Sequence, residues 1–140
     1  MSLIDILSKP KEDKQIKLDE IGRIRDLLDY GNLDMEEALN TMNLLAENVV
    51  LQEDNDIKEA MLNAILEGES SYDLDVEIDL KDILANLSMF NDECISYILT
   101  MLGYTGKEEY REIIQSFSNN PKLSSDVEEA LLELNHALKK

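Results

Sequence analysis

The chain has 140 residues, 44% of them apolar and 31% charged, with 31 acids against 13 bases and a formal net charge of −18. That length and apolar content suit one folded domain with a real core and exclude a disordered chain. The acid excess argues against nucleic acid or an anionic membrane surface as partner, because both need clustered Lys and Arg.

In chain order, the opening Met1-Ser2-Leu3-Ile4-Asp5-Ile6-Leu7 carries no basic leader and no long apolar core, so no signal peptide is expected. Residues 9–17, with Lys9, Lys11, Lys14 and Lys17, read as a polar loop. Leu18, Ile21, Ile24, Leu27 and Leu28 then recur at helical spacing, predicting a helix over 18–30 stopped by Gly31. Asp34 with Glu37 reads as a capping box for a helix that buries Ala38, Leu39, Met42, Leu45, Ala46 and Val49. Asp56 with Glu59 opens the next, with Ile57, Ala60, Met61, Ala64 and Ile65 inward and Gly68 as its end.

Residues 73–80 alternate acid and apolar, a period of two that suits an extended segment. A helix is expected from about Asp79 to Ser88. Another is capped at Asn91-Asp92, buries Ile95, Ile98, Leu99 and Leu102, and stops at Gly103. Thr105 with Glu108 reads as a further capping box before Tyr110, Ile113, Ile114 and Phe117. Ser125 with Glu128 starts the last helix, with Val127, Ala130, Leu131, Leu134 and Leu138 inward.

Four helix starts share a pattern of Asp, then a small residue four positions later, then a large apolar one. They are Asp34…Ala38-Leu39, Asp56…Ala60-Met61, Asp92…Ser96-Tyr97 and Asp126…Ala130-Leu131. A small residue there would let a neighbouring helix approach closely. The recurrence suggests helical hairpins over about 34–67, 79–103 and 107–138, with 18–30 as a capping helix. Through Asp56-Ile57…Ala60-Met61, Asp92…Ser96…Leu99…Leu102-Gly103 and Asp126-Val127…Ala130-Leu131…Leu134, the chain resembles the HEAT-repeat family of helical solenoids. Two positions after each Asp, where that family usually carries a basic residue, stand Lys58, Cys94 and Glu128. The resemblance implies a single all-α domain over 1–140, built of stacked antiparallel hairpins with an extended partner-binding surface. An irregular helical bundle is the alternative.

The chemistry available is sparse. Cys94 is the lone cysteine, which rules out an internal disulfide and fits a reducing, cytoplasmic setting, and His136 is the lone histidine. Asp92 and Glu93 beside Cys94 oppose thiolate formation, so no nucleophile–base pair is expected. Asp73, Asp75, Glu77 and Asp79 alternate as calcium ligands do, but Ile78 and Leu84 occupy the positions where such a loop needs its Gly and its closing Glu. No metal, cofactor or enzymatic activity is expected.

Two acidic faces are the candidate partner-binding sites. One runs from Glu69 to Asp82, with Glu69, Asp73, Asp75, Glu77, Asp79 and Asp82 and the neighbouring Tyr72; the other is the last helix, with Asp126, Glu128, Glu129 and Glu133. Tyr72, Tyr104 and Tyr110 are candidate exposed anchors. A compact acidic chain without a catalytic set is similar in profile to immunity proteins that neutralise bacterial toxins. That profile implies a basic protein partner, such as a toxin or nuclease domain. A cytosolic adaptor in a larger complex is the alternative, and solvating charge is the plain reading of both acidic faces.

Overall fold

The structure, a computed structural model, describes residues 14–31, 33–72 and 78–138. Among these described residues are seven α-helices and two 3-10 turns, and no strand. None of these helices is long and apolar enough to cross a membrane. The chain divides into two compact units, Met1–Asn91 and Asp92–Lys140.

In the first unit, α1 (Lys14–Asp29), α2 (Met35–Val49) and α3 (Asn55–Ser71) are followed by the short α4 (Lys81–Ala85) and a 3-10 turn, Leu87–Met89. α3 packs against both α1 and α2, and α4 lies on α2. The seam of α1 is Lys17, Ile21, Ile24 and Leu28, one stripe at helical spacing. Leu27, expected inward, is instead 38% exposed. α2 contributes Ala38, Met42, Leu45, Ala46 and Val49, and α3 contributes Ile57, Met61, Leu62, Ala64 and Ile65. α1 begins within the stretch expected as loop, because Lys17 is buried and its ammonium donates to Gln52 Oε1 at 3.3 Å. Lys58 is also buried; its ammonium donates to Met89 O at 2.9 Å and sits 5.9 Å over the Phe90 ring, holding the 3-10 turn to α3.

The caps follow local chemistry. Asp34 caps α2 as expected, its Oδ1 accepting from Glu37 N at 2.8 Å. That bond holds the Asp34 carboxyl below its usual range. The start of α3 differs from expectation: Asp54, not Asp56, is the cap, and Asp56 supplies one of the N–H groups it accepts. Glycine roles shift too. Gly31 ends α1 at φ +67, but Gly68 lies inside α3. A Cβ on Gly68 would come within 2.4 Å of Met42 Sδ, so its smallness serves packing on α2. Gly22, within α1, has nothing within 4 Å of where a Cβ would stand. Gly22→Ala should therefore gain helix propensity without a clash and stabilise the chain by up to about 1 kcal/mol, read as a higher urea midpoint.

In the second unit, α5 (Asp92–Thr105) pairs most extensively with α7 (Ser124–Leu138). Between them lie a 3-10 turn, Glu108–Tyr110, and α6 (Arg111–Gln115), which packs on α7. Ile95, Ile98, Leu99 and Leu102 are buried as expected, with Ile114, Leu123, Val127, Ala130 and Leu134. α5 runs past Gly103 to Thr105 and is ended by Gly106, at φ +66. Thr105 closes α5 rather than capping the next helix: its hydroxyl donates to Leu102 O and accepts from Lys107 N. Two of the expected caps have other partners. The Asp92 carboxylate accepts from Asn120 Nδ2 at 3.1 Å, and that of Asp126 accepts from the Ser96 hydroxyl at 2.9 Å. α7 begins at Ser124, one residue before the expected Ser125.

Within the ranges expected as hairpins, 79–103 and 107–138, the helices differ greatly in length. α4 and α6 have only five residues each, against fourteen in α5 and fifteen in α7.

Candidate protein-binding groove

The spacing of α7 creates the site. Glu129, Leu132, Glu133 and His136 fall at i, i+3, i+4 and i+7, so they share one face. Across from them, Thr100 and Tyr104 lie one turn apart on α5. These six side chains, with Ala130, line a groove of about 640 Å³. The helices meet closely beside it: a Cβ on Gly103 would stand 2.9 Å from Ala130 O and 3.2 Å from Ala130 Cα.

Leu132 is 69% exposed, and Glu129, Glu133 and His136 are exposed with it. No ion pair reaches Glu128, Glu129 or Glu133 among the described residues. Arg111, on α6, is bound by Glu108 at 2.7 Å and by Asn135 Oδ1 at 2.7 Å. The groove therefore offers two carboxylates one turn apart with no ion pair among the described residues, an apolar side chain beside them, and the half-buried Tyr104 opposite. Such an arrangement can hold cations and apolar side chains together. It places no buried acid–base pair, and Cys94 is fully buried outside it. No group of three or more His, Cys, Asp or Glu is placed to hold a metal ion among the described residues.

The other acidic face belongs to the first unit. Asp73, Asp75 and Glu77 lie outside the described residues. Tyr72 is not an exposed anchor: it is 8% exposed, its hydroxyl accepting from Leu33 N at 2.8 Å and donating to Leu33 O at 2.6 Å. A ring buried against the α1–α2 corner satisfies two backbone groups that would otherwise lack partners. Tyr72→Phe should cost about 1–2 kcal/mol of stability, checked by urea denaturation. Asp79 is exposed; its Oδ1 accepts from Lys81 N at 3.0 Å, a turn-forming bond at the start of α4. Asp82 is half-buried in the first turn of α4. The structure thus brings Glu129 and Glu133 together at a groove, puts Glu128 beside them on α7, and places Asp79 and Asp82 in the other unit.

One acid behaves differently from all of these. Glu69, expected on the first acidic face, is instead buried near the end of α3, and its Oε2 has no hydrogen-bond partner among the described residues. Desolvation pushes its pKa up to about 8, so the carboxyl is mostly protonated at neutral pH.

Leu132 and Thr100 escaped the sequence reading. The adjacent Leu131-Leu132 pair holds only a weak signal: neighbours 100° apart on a helix are both buried, as Ile98 and Leu99 are, only where the buried face is wide enough. Leu131 is half-buried and Leu132 projects to solvent. No family model matches this chain, and no curated protein or solved structure matches it either.

Proposed function

We propose that the chain is a non-enzymatic protein-binding module that captures a basic protein, most concretely an inhibitor or immunity protein that neutralises a basic toxin or nuclease by direct contact. The observation that carries this reading is the groove, where Glu129 and Glu133, with no ion pair among the described residues, stand beside the exposed Leu132. Removing Arg or Lys heads from water is offset there by carboxylates already in place. The net charge of −18 adds long-range attraction, which speeds encounter with a basic surface. The charge is uneven: 22 acids against 8 bases precede residue 92, and 9 against 5 follow. Steering is thus supplied mainly by the first unit and contact by the second.

A second reading, a cytosolic adaptor in a larger complex, draws on a different surface. Leu27, Tyr30 and Met35, 38%, 74% and 48% exposed, cluster about the α1–α2 corner. In that reading the helices stack in a HEAT-like array; the α2–α3 hairpin favours it, and the five-residue α4 and α6 count against it.

The test is inhibition. A basic nuclease or toxin captured on the immobilised chain is assayed with increasing amounts of the free chain. The inhibitor reading expects stoichiometric loss of its activity, reversed by raising the salt. A captured set that is not basic, resists salt and keeps its activities would favour the adaptor instead.

A further inference from the structure

We infer that the α5–α7 groove takes a cationic amphipathic helix of the partner, with an apolar residue on Leu132 and basic residues one turn apart on Glu129 and Glu133. This rests on the basic-partner reading and adds where and how the partner is held. The groove volume, about 640 Å³, falls among clefts that accept several side chains. Glu129 and Glu133 are four residues apart, so their carboxylates repeat at about 6 Å along α7. Arg or Lys at i and i+4 of a helix repeats at the same pitch, and the apolar residue beside them falls on the same face. An extended peptide gains its affinity from a free sheet edge, and the walls here are helices with their backbone groups already bonded internally. Phosphate-bearing and anionic lipid ligands are repelled by the same two carboxylates.

Charge alone does not define such a site, so the apolar contact is the discriminating feature. The probe is a synthetic helix of roughly five turns with Leu on one face and Arg at i and i+4, and a control with Glu in place of each Arg. Each is titrated into the isotope-labelled full chain at about 0.15 M salt, where the screening length is about 8 Å. The expected result is that backbone signals of Thr100, Tyr104, Leu132 and Glu133 move with the Arg peptide and not with the control. Leu132→Ala alone, and Glu129→Gln with Glu133→Gln, should each weaken binding by about tenfold, corresponding to one lost side-chain contact or charge pair. All three positions are exposed, so thermal melts should overlay the parent's.

Three results would overturn the inference. If Leu132→Ala leaves the affinity unchanged while the acid variants lower it, the contact is diffuse charge and not a seated helix. Shifts confined to residues before 92 would remove the groove but leave the basic-partner reading standing. Equal binding of both peptides, or binding of neither, would remove both.

Discussion

Glu69→Gln is expected to stabilise the chain by up to about 3 kcal/mol at pH 7 and to flatten its stability against pH. Glu69 is buried with an unpartnered Oε2, and desolvation raises its pKa from 4.5 in the unfolded reference to about 8. Between those values the folded state binds more protons at this site than the unfolded state does. Stability therefore falls as pH rises, by up to about 1.4 kcal/mol per unit through this window. Below pH 4.5 both states are protonated and the penalty vanishes; above about 8 it is complete and constant. Glutamine keeps the shape and cannot ionise. Urea denaturation of parent and variant at several pH values should give curves that nearly meet near pH 4.5 and diverge towards pH 8. Self-repulsion of the other acids also grows with pH, but it is common to both chains and cancels in the difference. Parallel curves would mean that Glu69 is not buried as described.

Gly103→Ala should destabilise the chain by about 2 kcal/mol, although Gly22→Ala, also within a helix, should stabilise it. Helix propensity favours alanine at both places by roughly 0.8–1 kcal/mol. At Gly103 the new Cβ would stand 2.9 Å from Ala130 O, a backbone atom that cannot rotate away. Relieving that overlap means moving α7 off α5, and overpacking of this kind typically costs about 1–3 kcal/mol. The clash therefore wins. Because Gly103 and Ala130 flank the groove, the variant should also weaken partner binding beyond its effect on stability. Chemical denaturation of both alanine variants checks the opposite signs. A stabilised Gly103→Ala chain would show that the helices are not in close contact there.

The glycines show where a sequence can be read and where it cannot. Gly31 and Gly106 both have positive φ and end helices, yet Gly103 sat at an equally plausible stop. What separates Gly103 from Gly106 is Ala130 on another helix, and that contact is non-local. Asp34 could be recognised as a cap because its partner, Glu37 N, is three residues away. Asp92 and Asp126 looked alike but bond to Asn120 and Ser96, across 28 and 30 residues. The apparent Asp repeat thus mixes one true cap with tertiary contacts. Helical class and most of the inward residues follow from periodicity, whereas the helix expected over about 79–88 is interrupted at Asn86, giving α4 and a 3-10 turn. At the groove, Glu129 and Glu133 could be named from their charge. Thr100 and Tyr104 could be placed opposite them only once α5 was known to pack on α7.

The most direct measurement is the association rate of the chain with the basic partner proposed for it, followed by stopped flow from low to high ionic strength. Capture by an acidic surface predicts a rate that falls steeply as salt screens the charge, with a dissociation rate that rises in the Leu132→Ala chain. An association rate unchanged by salt would contradict it, and the net charge of −18 would then serve solubility alone.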